Sequence, residues 1–422
     1  MSTYAAVLRT PYAASTFGAS LLGRLSYGTL SLSLLLAVKD ASGSLAVAGT
    51  VLALFGATGV VLSPVRAAMV DRYGPRRALV PMAVLYAGLL IALAVVTREG
   101  HTAQGAPEAE SASGVLLGAL AALAGALAPP LGPTMRTLWS QLLPDRRMLR
   151  RAYSLDGVAE ELILVAGPLL VGVLVTYAEP AAGVAASAVL VLVGTVALAL
   201  SPVPFSLGGA DEASARRTRC WGRGREERPP RTGPRGLWQP VLAAAATGLC
   251  LGGLDLLVVS FTELRHRPGA VAWVLAVLSA GSAVGGLAYG AVSWRSGARP
   301  RLAVICAALG VALAAAGLAP NVYALGAAVA VAGLFVAPAL TTAYLMADET
   351  VAPEARTRAG AWVNAAVNAG ISGGTATAGL LVGELPLPLC FVFIAAPALI
   401  CAAVTLRATG RRNPVRGATE AC

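Results

Sequence analysis

The chain has 422 residues, of which 57% are hydrophobic and 13% are charged, and its formal net charge is +11. Average soluble domains are about 45–50% apolar and about 25% charged. With a mean hydropathy of +0.72, the chain has too few charged residues to cover the outside of a soluble fold. This composition excludes the soluble globular, disordered and disulfide-scaffold classes and predicts an integral membrane protein.

Apolar runs that are long enough to cross a bilayer recur along the chain, since a hydrocarbon core about 30 Å thick needs roughly 20 residues per helix. In chain order the twelve predicted spans are 16–38, 44–65, 78–97, 114–135, 153–176, 182–202, 239–261, 269–291, 301–319, 322–345, 359–381 and 388–407. Only Pro320 and Asn321 separate spans nine and ten. The pattern predicts an all-α polytopic membrane protein with two pseudo-symmetric six-helix bundles.

The basic residues are distributed unevenly between alternate loops. With the N-terminus placed inside, 27 Lys and Arg residues fall in inside segments and four in outside segments, and Arg24 lies within a span. Because cytoplasmic loops are rich in Lys and Arg, we expect both termini to be cytoplasmic. The positively charged loops are then expected to contact the anionic lipids of the bilayer, and no nucleic-acid partner is expected. The predicted location is the inner (plasma) membrane, which the chain crosses many times.

A polar, arginine-rich segment divides the predicted spans into six and six. It covers residues 203–238 and has the Pro/Gly-rich composition that is typical of a linker. The predicted organisation is an N-terminal bundle, a basic cytoplasmic linker, a C-terminal bundle and a cytoplasmic tail, at 1–202, 203–238, 239–407 and 408–422.

The two halves of the chain look weakly related in sequence. The loop at 67–77 superposes on residues 290–299 at an offset of 223, and Pro129 superposes on Pro338 at an offset of 209. Repeated halves with a binding site between them are the usual construction of secondary transporters. The repeat therefore points to transport.

The loop between spans two and three carries a recognisable motif. It reads Asp71, Arg72, Tyr73, Gly74, Pro75, Arg76 and Arg77. In this topology the loop resembles the signature Gly-x-x-x-Asp-Arg-x-Gly-Arg-Arg of the major facilitator superfamily, although Ala67 replaces the first glycine and Pro75 is inserted. The resemblance implies alternating-access transport, with Asp71 latching the inner gate against span eleven. The alternative is a plain positively charged anchor on the inner side.

Span five carries a second, weaker resemblance. The segment from Gly167 and Pro168 to Gly172 is similar to the end of the Gly-Pro motif of drug–proton antiporters. Pro168 is expected to kink the helix, and both glycines are expected to admit a close neighbour. A packing kink unrelated to efflux is the alternative. Span four lacks the arginine that proton-coupled relatives often carry, and Pro129 and Pro130 are expected to bend its inner end.

Several ionisable residues fall inside predicted spans, where a charge is costly and usually functional. Arg24 in span one and Glu160 and Glu161 in span five lie at similar depth. We expect Arg24 to pair with one glutamate and the other to carry a proton, with Asp156 one turn earlier extending an acidic ladder. The alternative is a structural ion pair, with Asp156 and the other glutamate reaching to the inner interface.

Three polar residues stand out in the second half. Asp255 in span seven is either a cation or proton site in the cavity or an outer-gate residue. Asn364 and Asn368 lie one turn apart in span eleven and either bind substrate or support packing, because this span is rich in glycine.

These features favour a transporter over other membrane proteins. No nucleotide-binding loop, catalytic set or metal-ligand spacing occurs, so no enzyme activity, cofactor or metal is expected beyond coupling to protons. We expect a bacterial monomer that exports small amphipathic molecules as an antiporter, because the cavity walls are apolar and low in aromatics. The alternatives are an importer or uniporter of a small metabolite with this fold and, less favoured, a membrane sensor without transport.

Overall fold

The computed structural model is all helical, which confirms the predicted fold class. It describes residues 4–102, 107–143, 145–201, 236–267, 269–292, 294 and 296–410. Most of the predicted linker and tail, at 202–235 and 411–422, therefore lies outside the described residues.

The first half of the chain forms helices in the order that the hydropathy predicts. They are α1 (Tyr4–Leu8), α2 (Ala13–Ser42), α3 (Leu45–Tyr73), α4 (Pro75–Thr102), α5 (Pro107–Leu127), α6 (Leu131–Leu142), α7 (Arg146–Val175) and α8 (Pro180–Ala199). Local signals set several ends: Gly43 ends α2 with a positive φ of 65° and donates its N–H to the carbonyl of Lys39, and the Ser44 hydroxyl caps α3.

The second half of the chain repeats this pattern of long helices. They are α9 (Trp238–Leu264), α10 (Ala270–Ala291), α11 (Ala298–Ala316), α12 (Val322–Thr350), a 3-10 turn (Pro353–Ala355), α13 (Arg356–Leu381) and α14 (Leu387–Gly410). Asn321 separates the two closely spaced spans, because its side-chain oxygen accepts a 2.9 Å hydrogen bond from the Ala324 N–H and starts α12.

Eleven helical segments among the described residues are long and apolar enough to cross a membrane. They correspond to the predicted spans except span eleven, where α13 forms but is not among the eleven. The count of twelve crossings and the sidedness of the termini remain predictions. One segment, Gly114–Leu142, combines α5 and α6.

Contacts between Cα atoms divide the chain into two compact units. The first contains 1–144, 162–231 and 352–361, and the second contains 145–161, 232–351 and 362–422. Helix α7 therefore contributes its first half to the second unit, and the first turn of α13 contributes to the first unit. Each unit thus includes a short piece of the other sequence half.

Small residues bring helices together inside each unit. In the first unit, Gly23 of α2 lies against Gly194 of α8, where an added Cβ would come within 2.2 Å of the Gly23 nitrogen. Hydroxyl pairs support this crossing, with Thr29 and Ser187 at 2.7 Å. In the second unit, Gly252 of α9 lies against the carbonyl of Ile371 in α13. Such small-residue crossings let helix backbones approach where lipid offers no hydrophobic driving force.

Candidate functional site

The acidic residues of α7 lie well inside one long helix. The helix begins at Arg146 and is continuous to Val175, so Glu160 and Glu161 stand near its middle. At 1.5 Å per residue they are roughly 22 Å from its start. Four of the first six residues of the helix are arginines, so this distance includes turns before the apolar stretch, and the membrane depth of the two glutamates remains a prediction.

Glu161 is held by a hydroxyl group of α10. The Ser282 hydroxyl donates a 2.9 Å hydrogen bond to Oε1 of Glu161. Ser282 is only 1% exposed. Gly286 completes the face, since an added Cβ there would lie 3.6 Å from Val158 of α7. The carboxyl group of Glu161 therefore has a hydroxyl partner that can donate to its charged form and accept from its protonated form.

Asp156 and Arg24 are both buried. Asp156 is fully covered by protein atoms, and its place in an acidic ladder or at the inner interface stays a prediction. Arg24 is 3% exposed, and its Nε lies near Gly132 at the start of α6, where Arg136 also lies. The pairing of Arg24 with a glutamate remains a prediction.

The fourth predicted span is broken, which is a larger distortion than the predicted bend. Helix α5 ends at Leu127 and α6 begins at Leu131. Pro129 and Pro130 have no N–H, so the carbonyls of Gly125 and Ala126 lose their helical donors. The Arg66 guanidinium of α3 donates to the Gly125 carbonyl, and the Tyr27 hydroxyl of α2 donates to the Pro129 carbonyl. Two side chains therefore hold the break.

Arg66 and Arg136 are functional candidates that the sequence reasoning missed. They are 7% and 6% exposed although both lie in membrane-crossing segments. Arg66 also donates to the carbonyl of Gly59 at 2.7 Å, two turns back along α3. For Arg66 the available signal in the sequence was its position two residues after Pro64. The positive-inside pattern had already accounted for this arginine as a loop charge, so it was not singled out.

The motif loop places Asp71 against the first turn of α13 in the first unit. Its carboxylate accepts hydrogen bonds from the N–H groups of Thr357 (3.2 Å) and Arg358 (2.8 Å). A carboxylate at these positions acts as an N-cap supplied by another helix and faces the positive end of the helix dipole. The neighbouring Arg356 donates to the Ser140 hydroxyl at 3.0 Å. The role of this contact as a gate remains a proposal.

The other motif residues shape the turn or face solvent. Gly74 has φ +81° and ψ 155°, a conformation that is essentially restricted to glycine, and α4 starts at the next residue. Arg76 donates to the carbonyls of Ala199 (2.7 Å) and Ser201 (3.3 Å) at the end of α8. Arg72 lies over the ring of Tyr73, and Arg77 is exposed.

Of the two glycines in the Gly-Pro segment of α7, one lies against a neighbouring helix and the other does not. Gly167 lies against the backbone of Gly28 in α2, and an added Cβ would come within 2.3 Å of it. The packing prediction is wrong for Gly172, because an added Cβ there meets no described atom within 4 Å. Helix α7 continues through Pro168 without a break.

The polar candidates of the second half do not form one cluster with Asp255. Tyr344 donates to the Asn364 side chain at 3.4 Å, and the Asn368 side chain donates to the Asn364 backbone carbonyl at 2.8 Å. These bonds fit a support role for Asn364, whereas Asn368 is exposed. Asp255 on α9 is exposed. Among the described residues no group of three His, Cys, Asp or Glu could hold a metal ion.

The eleven long apolar helices, the interrupted span and the loop carboxylate that caps α13 indicate a polytopic membrane protein of the transporter type. The chain belongs to the Major Facilitator Superfamily, whose family model matches residues 16–268 and 240–421. No curated protein matches the chain significantly.

Three solved structures with the same fold are distant in sequence. A bacterial homologue of the iron transporter ferroportin, in an outward-facing state with soaked iron, has a TM-score of 0.74 and 14% identity and covers 94% of this chain and 99% of its own. The human organic anion transporter MFSD10 has a TM-score of 0.67 and 15% identity, with coverage of 93% and 98%. The E. coli fucose:proton symporter FucP has a TM-score of 0.60 and 15% identity, with coverage of 94% and 99%. At these identities the likeness shows the fold alone.

Proposed function

We propose that the chain exports small amphipathic molecules from a bacterial cell by alternating access, in exchange for protons that Glu161 carries. The observation that carries this proposal is the Glu161 carboxylate near the middle of α7, hydrogen-bonded by Ser282 at 2.9 Å. A carboxyl group at membrane depth is costly unless it has a role, and proton relays in transporters use such groups.

The hydroxyl group that contacts Glu161 suits both protonation states. When the carboxyl group is charged, the hydroxyl of Ser282 donates to it. When it is protonated, its O–H can donate to a serine oxygen, because a hydroxyl both donates and accepts. The proton can therefore be taken up and released without leaving a buried polar atom unpaired.

The Asp71 contact supports the alternating-access part of the proposal. Two backbone N–H groups of α13 bind one carboxylate, so the contact is strong enough to hold a closed inner gate and still small enough to break during a cycle. The direction of transport rests on the Gly167–Pro168 segment and its close crossing with Gly28.

Inverted vesicles with an imposed pH gradient test the proposal. A panel of amphipathic drugs is added, and a drug that dissipates the gradient identifies a substrate. We expect Glu161→Gln to abolish the drug-induced proton movement while binding of the drug persists. The matched control is Glu179→Gln, an exposed glutamate paired with Arg98 at 3.3 Å, which should transport normally.

Two outcomes would contradict the proposal. Normal proton movement in the Glu161→Gln variant would remove this residue as the carrier. Movement of a compound in the same direction as the protons, in place of exchange for them, would favour the importer.

A further inference from the structure

The second unit gathers arginines at the predicted cytoplasmic ends of three helices. Arg150 of α7 lies within electrostatic range of Arg147 and Arg151 on the same helix and of Arg301 on α11. Like charges this close repel one another, so a cluster of this kind in a membrane protein needs a counter-charge. Arg146 is already paired with Glu349 at 3.3 Å.

The end of α10 fixes the positions of these arginines. The Arg150 guanidinium donates to the carbonyl of Val292 at 3.0 Å, and Arg151 donates to the carbonyl of Gly290 at 3.3 Å. Cations are favourable at a helix C-terminus, where carbonyl groups have no helical partner. These two bonds to backbone carbonyls hold the guanidinium groups of Arg150 and Arg151 in place at the end of α10.

Arg301 forms the floor of the cluster. It is 8% exposed, and its guanidinium carbon lies 5.3 Å from the ring centre of Tyr289 and 5.6 Å from that of Trp294. Within the described part of the chain, the buried Nε atoms of Arg301 and Arg150 have no hydrogen-bond partner. Both atoms are shielded from the surroundings, so an anion from outside the protein can be met only by the terminal N–H groups of these two arginines.

The start of α11 adds further positive character at the same place. Gly297 provides no side-chain cap, and the first turn contains no acidic residue. Instead it contains Arg299 and Arg301, which is the unfavourable sign of charge for a helix N-terminus. An anion bound here would satisfy the helix end and the arginines together.

The surroundings of the cluster are those of a membrane interface. Trp294 at the rim is 39% exposed, and tryptophan is enriched at the level of lipid headgroups. Immediately beyond the cluster, Val304 and Val311 on one face of α11 are 66% and 61% exposed. An apolar exposed stripe that starts beside a basic cluster matches a phosphate headgroup with its acyl chains.

We propose that the arginines at the ends of α7, α10 and α11 bind the phosphate of an anionic phospholipid. Arg150 and Arg301 are its principal ligands, and Trp294 marks the level of the headgroup. Basic pockets between helices on the cytoplasmic side are suited to such headgroups.

Native mass spectrometry of the detergent-solubilised full chain tests this site with phosphatidylglycerol, phosphatidylcholine and inorganic phosphate as separate probes. We expect phosphatidylglycerol to be retained over phosphatidylcholine. The double variant Arg150→Gln/Arg301→Gln should bind it about 30-fold more weakly, since each basic residue near an anionic surface contributes roughly a factor of five. The charge-preserving double variant to lysine should retain part of the binding and shows that loss is not due to misfolding.

The matched control removes two arginines at the predicted opposite face. Arg265 lies over Phe261 and Arg267 over Tyr323, so both are aromatic-stacked like Arg301. The variant Arg265→Gln/Arg267→Gln should keep the preference for phosphatidylglycerol. Equal retention of this lipid by the wild type and the Arg150/Arg301 glutamine variant would overturn the proposal. Binding of inorganic phosphate as tight as that of the lipid would also overturn it and indicate a site for a soluble anion.

Discussion

The fourth and tenth predicted spans correspond in the sequence repeat but differ in structure. In the first half the chain is interrupted between Leu127 and Leu131, whereas in the second half α12 runs unbroken through Pro338, the counterpart of Pro129. The difference is a second proline, since Pro130 removes another donor and restricts the residue before it. One proline is tolerated within a helix that packs well, and two adjacent prolines end it.

The neighbouring helix responds to this difference at corresponding positions. Arg66 of α3 corresponds to Tyr289 of α10 at the repeat offset. The arginine donates to the carbonyls of Gly125 and Gly59, while the tyrosine shares a 2.7 Å hydrogen bond with the Thr342 hydroxyl of the unbroken helix. At the break the arginine replaces the lost helical donor of Gly125, and its bond to Gly59 makes it a multiple donor. The intact helix meets a single tyrosine hydroxyl.

The largest expected effect is the removal of that multiple donor. Arg66→Leu leaves the buried Gly125 carbonyl without a partner, whereas the Gly59 carbonyl keeps the Ser63 N–H of its own helix. We therefore expect the free energy of unfolding to fall by about 2 kcal/mol. Tyr289→Phe loses a single neutral hydrogen bond and should cost about 1 kcal/mol. Titration with a denaturing detergent measures both values.

A double-mutant cycle sharpens this prediction. Pro129→Ala restores an N–H that can bond the Gly125 carbonyl, so Arg66→Leu should cost less in that background. Equal costs of Arg66→Leu in both backgrounds would show that the arginine does not act through the break.

The second effect concerns the two copies of the motif loop. Trp294 stands where the first copy has Asp71, and its indole N–H donates to the Tyr289 carbonyl at 3.1 Å. Asp71→Ala removes the acceptor of two α13 N–H groups, so hydrogen exchange in a peptide covering 352–361 should speed up by about 10–100-fold. Trp294→Ala should leave that peptide unchanged, and equal acceleration in both variants would contradict a specific contact.

The smallest expected effect is the substitution of the corresponding glycines in the two copies of the motif loop. Gly74 has φ +81°, whereas its counterpart Gly297 has φ −62°. Gly74→Ala should therefore lower the free energy of unfolding by about 1–2 kcal/mol, because alanine is strained at this φ. Gly297→Ala should be close to neutral, because an added Cβ makes only ordinary contact with Pro300 at 3.7 Å. Melting temperatures in detergent distinguish the two, and a matching loss in both would show that φ is not the cause.

The sequence predicted the elements well because membrane helices obey simple length and hydropathy rules. The separation of spans nine and ten by Pro320 and Asn321 is a case in point, since Asn321 caps α12. Polar α13 was also predicted as a helix, although its hydropathy does not place it with the eleven apolar segments.

The partners of individual side chains were less predictable. The start of α7 at Arg146 lies several residues before its apolar stretch begins, so hydropathy did not locate it. The serine partner of Glu161, Ser282 on α10, is separated from it by more than 100 residues, and the sequence gives no sign of which helices meet. Arg66 was hidden for the opposite reason, since an arginine near the inner end of a span already has a sufficient topological explanation.

The last turn of α2 has a practical consequence. Lys39 is the single lysine of the chain, and it is exposed where Gly43 ends the helix. The chain therefore carries one side-chain amine, on the predicted outer face. A membrane-impermeant amine reagent should label Lys39 in intact cells, with Lys39→Arg as the blank, so that this residue serves as a built-in reporter of orientation.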